Sequence, residues 1–398
     1  MKAYRFITAK RIEPFGDPVS ECQVGVMPLG LAVTKELQQA GIEPLMGKVN
    51  GIQTNSILLP DTMFVTRKVI RKFIQNCPPG RGVFRLALKK GPLTRWLCPL
   101  ANIDTNDEFV MFPCYLVRKQ PPKASNWEQL HRQLSRSAQP VILDPGSRVT
   151  RIRVPTRTGT ESMIPRTDMV AADVSHWVHL LWLNQLIPWI MLGQHEGKKN
   201  EDGCIMGDHC DVHPTALVEN SILGDHVTIG PFASVRDCVL GDWVELTESS
   251  RLNRCCVGDR CRTLADSYFI GCTFFPGSTL ANFMLRESII GRGCFITSGL
   301  VFSAVGLTEP VHVNMHGDRV DSGRWLLGSA VGHGCTLGTL GLRGNIAPGM
   351  EIPNGYMIVM NPKDGLQSPC VNPRPMEPFM NVKGTATEVN ASTYGRRS

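Results

Sequence analysis

Cys204, His209, Cys210 and His213 fall within ten residues, and thiolate and imidazole are the side chains zinc prefers. Their spacing meets no standard zinc pattern, so the competing reading is buried thiols acting as small hydrophobes beside ordinary surface imidazoles. A second chemical signal is Asp61. It closes the apolar run NSILLPD (55–61), the form of a buried parallel strand whose carboxyl-terminal tip carries function. The third is charge. Residues 1–200 hold 27 Lys+Arg against 15 Asp+Glu, a balance of +12, whereas the remainder holds 15 against 20, a balance of −5. A basic first half suits an anionic ligand such as a nucleotide or a sugar phosphate, or is simply a solvated surface. Nucleic acid is disfavoured, because no aromatic-rich basic strip or named binding motif is present.

The elements that must position these groups divide the chain. At 398 residues it exceeds one ordinary core, so two domains are expected. Residues 1–195 read as mixed α/β. LAVTKELQQAGI (31–42) has helical periodicity ending at Gly41, and RKVIRKFIQNC (67–77) reads as a basic amphipathic helix stopped by Pro78 and Pro79. EFVMFPCYLV (108–117) and QPVILD (139–144) are strand candidates. Residues 196–211 form a polar linker. From 212 to 362 a six-residue beat takes over. Aliphatic residues recur at Leu223, Ile229 and Val235, slip by one to Leu240, and resume at Leu246 and Leu252. A hexapeptide period predicts short strands stacked as a parallel β-helix, with apolar residues inside and the recurrent glycines permitting the corners. The beat fails over 306–325, which reads as an excursion loop or hairpin, and 363–398 reads as a loose tail. Fourteen cysteines without a CxxC pair, and an N-terminus lacking an apolar core, predict reduced thiols and a cytoplasmic setting. The run HWVHLLWLNQLIPWIML (176–192) is too short and too polar for a membrane span and predicts a buried or amphipathic helix, or a docking face.

Two stretches carry a resemblance. ITAKRIEPFGDPVSECQVGVMPLGLAVTKELQQAGI (7–42) and DVSHWVHLLWLN (173–184) are similar to the opening loop and the closing helix of sugar-1-phosphate nucleotidyltransferases that carry a C-terminal left-handed β-helix. Some of these also N-acetylate an amino-sugar phosphate. Arg11, Pro14, Val24, Gly25, Pro28, Leu29, Ala40, Gly41 and Ile42 fit the first motif. Asp173, Leu180, Leu181 and Asn184 fit the second. HGDRVDSGRWLLGSAVGHGCTLG (316–338) resembles a loop of the family's β-helix. The resemblance implies a shortened nucleotidyltransferase-like α/β domain followed by a left-handed β-helix, assembled as a homotrimer that packs prism walls together.

It also implies roles. Asp61 and Asp173 would hold magnesium, with capping of strand–helix turns as the alternative, and Arg11 and Asn314 would meet the sugar. Ile7 and Ala9 occupy the places of two phosphate-loop glycines, and Glu21 that of a lysine. These departures predict loss of nucleotidyl transfer. For acyl transfer from acyl-CoA (acetyl-CoA) to an amino-sugar phosphate or nucleotide sugar, the candidate bases are His312, His316 and His333. Ser298 belongs to the sugar-contacting segment, where Val305 replaces an asparagine, and Arg324 and Arg343 would anchor CoA phosphates. The rival expectation is a non-catalytic sugar-nucleotide-binding regulator or scaffold.

Overall fold

The computed structural model describes residues 1–398 apart from 50, 154–160, 196, 282–283, 298–300, 303, 307–308, 316, 338–344, 347–350, 353–355, 359–373 and 376–398. Ser298, His316, Arg343 and nearly all of the expected tail 363–398 therefore lie outside the described residues.

The N-terminal sheet comprises β1 (Lys2–Phe6), β2 (Glu43–Met46), β3 (Ser56–Pro60), β4 (Val83–Lys89), β5 (Phe109–Val117) and β6 (Gln139–Leu143), in the order β6-β4-β5-β3-β1-β2. A short Asp104–Thr105 strand also pairs with β5. β1 runs parallel to both β2 and β3, β6 runs parallel to β4, and β5 is antiparallel to both of its neighbours. β3 is buried at all five positions, which is why it reads as an unbroken apolar run. Helices α1 (Leu29–Gln39), α2 (Arg67–Asn76) and α4 (Trp127–Ser137) turn apolar stripes to the sheet: Leu29, Val33 and Leu37; Val69, Ile70 and Phe73; Trp127, Leu130 and Leu134. Between α2 and α4 lies the short α3 (Pro92–Leu97). β4 escapes sequence reading because Arg85 interrupts VFRLALK. The guanidinium is only 3% exposed and donates to the Phe112 carbonyl (2.9 Å) and to Asp104 (2.5 Å).

From Ile205, within the 196–211 segment, the chain winds into coils. Leu223 pairs with Leu240, Leu240 with Val257 and Val257 with Phe274. The repeat of the first coils is thus 17 residues, two steps of six and one of five as at Leu240, and the next coil, from Phe274 to Ile290, takes 16. Sheets of eight, nine and five strands result, and they fit a left-handed parallel β-helix. Its interior is Leu223, Leu240, Val257, Phe274, Ile290 and Val331, none more than 2% exposed.

The glycines do two jobs. Corners are turned in the left-handed region, by non-glycine residues in the first coils (His226, Trp243 and Arg260 at φ 56, 59 and 56°) and by glycines further along (Gly271, Gly277 and Gly293 at φ 63, 75 and 62°). Gly224 has no positive φ. A Cβ there would sit 2.4 Å from Asp242 Oδ1 and 2.7 Å from the Gly241 carbonyl carbon of the next coil, so glycine is needed for close approach between coils. Gly224→Ala is expected to cost about 1–3 kcal/mol, read as a fall in the urea midpoint at unchanged m-value.

One face of the prism is not solvent-facing. Its outward residues Val239, Cys256, Ile289 and Ala330 belong to the same core as the N-terminal domain. Covering them are α5 (Trp177–Asn184), buried at all eight positions, and α6 (Ile187–Gln194). Asn184 accepts from the Gly25 amide (2.7 Å) and donates to the Gln23 carbonyl (3.0 Å). Gln185 donates to the Gly271 carbonyl (2.9 Å), and Trp189 Nε1 to Asp237 (2.8 Å). The apolar run 176–192 is therefore the internal joint of the chain rather than an external docking face. The excursion is an antiparallel hairpin, Val311–Met315 against Asp318–Arg324. It folds back onto the N-terminal domain: Val311 and Val313 join that core, and His176 Nε2 donates to the Asn314 carbonyl (3.0 Å).

Candidate functional site

β1 connects to β2 on one side, while β3 lies on its other side, so the sheet changes direction between β1 and β3. In open α/β sheets ligands bind outside the carboxyl ends of the strands at such a point. Residues 7–10 leave β1 there. Ala9 holds φ 55°, a left-handed conformation that glycine adopts without strain. Thr8 donates both its amide (3.1 Å) and its hydroxyl (2.7 Å) to Asp61 Oδ1. Asp173 ends the strand Ala171–Asp173, antiparallel to Met63–Val65, and accepts from the Thr62 hydroxyl (2.5 Å). A cavity of about 390 Å³ opens beside them, with Thr8, Lys10, Thr62, Arg85, His131 and Asp173 in its walls.

The carboxylates are 3% and 5% exposed. Burial pushes the Asp61 carboxyl up against the opposing Thr8 hydrogen bonds. Burial likewise pushes Asp173 up; Thr62 and Lys10 oppose this, while the charge of Asp61 adds to it. His131 is held below its ordinary value by burial and then by Arg85, and its Nδ1 meets the Tyr115 hydroxyl at 2.7 Å. Buried carboxylates of this kind offer the oxygen donors that a hard divalent cation takes. Arg11, the other N-terminal candidate, is exposed and donates to the Gly16 carbonyl of its own hairpin (2.5 Å).

Among the described residues, the expected acyl-transfer residues divide between a coil corner, with His333, and the excursion hairpin, with His312, Asn314 and Arg324. The Arg292 amide donates to His333 Nδ1 (2.8 Å), which leaves Nε2 to donate to Asp17 Oδ2 (3.0 Å). Arg292 also donates to Asp17 (2.6 Å), and Phe15 and Phe275 pack on the imidazole at 5.4 and 5.7 Å. Burial alone would raise the Asp17 carboxyl, but its bonds to His333 and Arg292 outweigh that and hold it below the usual range. His333 thus ties a coil corner to the N-terminal domain. Arg324 does the same from the hairpin: its guanidinium lies 4.1 Å from the Trp96 ring and 4.8 Å from Trp182 and donates to the Trp96 carbonyl (2.6 Å). Asn314 Oδ1 accepts from Gly317 to close the hairpin turn (3.0 Å). His312 stands 3.7 Å from Glu309.

The Cys/His cluster winds around the first coil instead of converging. The Cys204 thiol donates to the Val218 carbonyl (3.4 Å) and the Cys210 thiol to the Gly224 carbonyl (3.2 Å). His209 stacks on His226 at a corner (4.9 Å), and His213 Nδ1 meets Thr215 (2.9 Å). Among the described residues no three such side chains gather to hold a metal. Sequence reading missed Thr8, Lys10, Thr62 and His131. The available signal was that Thr8 and Lys10 flank Ala9, and Thr62 follows Asp61, in the stretches already singled out.

Residues 193–273 match the family described as GlmU-like, C-terminal hexapeptide. With the stacked parallel strands, the match makes this half a hexapeptide-repeat β-helix, and it points to transferases in general. No curated protein matches the chain. Among the described residues no helix is long and apolar enough to cross a membrane.

Proposed function

We propose that this chain is a sugar-phosphate transferase relative that binds a nucleotide sugar or sugar phosphate in the N-terminal cleft, within a shortened domain of nucleotidyltransferase type. The observation that carries the reading is a cleft at the turning point of the sheet with buried Asp173 and Lys10 in its wall, and buried Asp61 behind the wall residue Thr8 that it bonds. Asp61 and Asp173 would hold magnesium, whose chemistry there is to neutralise phosphate charge. Thr8 and Thr62 orient the two carboxylates, and Lys10 supplies the positive charge that Glu21 does not. With Ile7 and Ala9 in place of glycines, the loop offers no close backbone cradle for a triphosphate. The cleft therefore serves as a binding site in which nucleotidyl transfer is lost.

Titration calorimetry with a UDP-sugar is expected to show binding that requires Mg²⁺ and weakens at least about tenfold in Asp173→Asn, one lost charge-assisted contact. No binding in either condition, or pyrophosphate release from UTP and a sugar phosphate, would overturn the reading.

Acyl transfer is the second reading, favoured by the hexapeptide match. Acyl-CoA would be the co-substrate, His312 beside Glu309 the base among the described residues, and a homotrimer the working assembly. Thiol release from acetyl-CoA that disappears in His312→Ala would move the account to this reading.

A further inference from the structure

A second cavity lies at the joint, remote in the sequence from the residues 7–10 and 61–62 that shape the cleft. It measures about 240 Å³ and is walled by Trp96, Trp182, Trp325, Met163 and Ile164, with Arg95, Arg324 and Glu287 as its charged groups. α3, α5, the strand Glu161–Arg166 and the end of the excursion hairpin meet there, so the pocket exists only because the two domains are docked. Its electrostatics are unbalanced. Glu287 is 3% exposed; it accepts from Gln185 and already pairs with buried Arg254 at 3.4 Å. Arg324 spends its Nη2 donors on two neutral acceptors, the carbonyls of Arg95 (3.3 Å) and Trp96 (2.6 Å). Those contacts fix the guanidinium without neutralising it. Its Nε–H is buried and has no hydrogen-bond partner. Two cations, Arg254 and Arg324, thus act on one buried carboxylate, and exposed Arg95 adds a third positive charge to the pocket wall.

An apolar, tryptophan-walled pocket with few polar groups selects a flat ring. Arginines in the wall select an anionic oxygen. We propose that this interdomain pocket binds a planar aromatic anion of one or two rings, such as an aromatic carboxylate, with the ring among the apolar walls and the anionic group in the positive field of Arg324 and Arg95. The proposal does not depend on what the N-terminal cleft binds.

The test is titration calorimetry of the full chain with indole-3-carboxylate and with the neutral indole-3-carboxamide, followed in parallel by tryptophan fluorescence. The expected result is saturable one-to-one binding of the carboxylate, with the carboxamide weaker by about tenfold or more, the weight of a charge-assisted hydrogen bond. Ser162→Trp, which fills the pocket from its wall, should abolish binding. Arg95→Gln, at an exposed position, should weaken it several-fold without shifting Tm, and decides the matter if Ser162→Trp fails to fold. Asp61→Asn should leave carboxylate binding unchanged. No saturable binding, equal affinity for the carboxamide, or binding undiminished by Arg95→Gln would overturn the proposal.

Discussion

Phe275→Ala is expected to destabilise the protein by about 3–5 kcal/mol, the range for deleting a buried aromatic ring. Phe275 is fully buried. It lies on the face of the β-helix that meets the N-terminal domain, stacks on Phe15 at 5.0 Å and packs against His333. Its loss therefore opens a void between two domains, and neither side can close it without breaking the Asn184, Gln185 and Asp17 contacts that fix their spacing. The wild-type chain should unfold in one calorimetric transition, and the variant should resolve into two as the domains lose their coupling. Phe295→Ala is the control. Phe295 is 43% exposed on a different coil face, and its truncation should stay within about 0.5 kcal/mol.

Asp17→Ala should produce the second largest loss, about 2–3 kcal/mol at neutral pH, because it leaves His333 Nε2 and the Arg292 guanidinium without their shared acceptor. The pH dependence has a definite sign. The folded Asp17 carboxyl sits below its ordinary value, so between the folded and unfolded titrations the unfolded chain binds the extra proton. The contribution of Asp17 is complete above the unfolded value of about 3.9 and is lost as pH falls through the folded one. Urea unfolding of wild type and variant should therefore differ most at neutral pH and converge in strong acid.

Much of the architecture was legible from residue pattern alone. β3, β5 and β6 announce themselves as apolar runs, α1 and α2 by spacing, and the coils by their beat. The slip at Leu240 already contained the 17-residue coil. Two things went unread. β4 hides because a buried arginine is compatible with a strand interior only when distant carbonyls and Asp104 satisfy it, and those partners lie 19–27 residues away. The docked face of the prism was readable but unread. Its strands carry two consecutive apolar residues, as in Ile222–Leu223, Val239–Leu240 and Ile289–Ile290, where the other faces alternate, as in Thr228–Ile229 and Glu245–Leu246. A strand buried on both sides must read that way.

The candidate site was half legible. Asp61 was singled out as the end of an apolar run, and it follows β3 directly; Asp173 was singled out by resemblance, and it ends a short buried strand. His333 and Arg324 have the right chemistry for catalysis, but their partners Asp17, Trp96 and Trp182 are 316, 228 and 142 residues away. No local spacing reveals that both are spent on joining the domains.

Hydrogen–deuterium exchange of the full chain with a UDP-sugar and Mg²⁺ tests the central claim most directly, because it reports where the ligand sits rather than whether one binds. The account predicts new protection in residues 7–10, 61–62, 128–135 and 171–173, with the coils unchanged. Protection confined to the β-helix, with the N-terminal cleft exchanging as before, would contradict it.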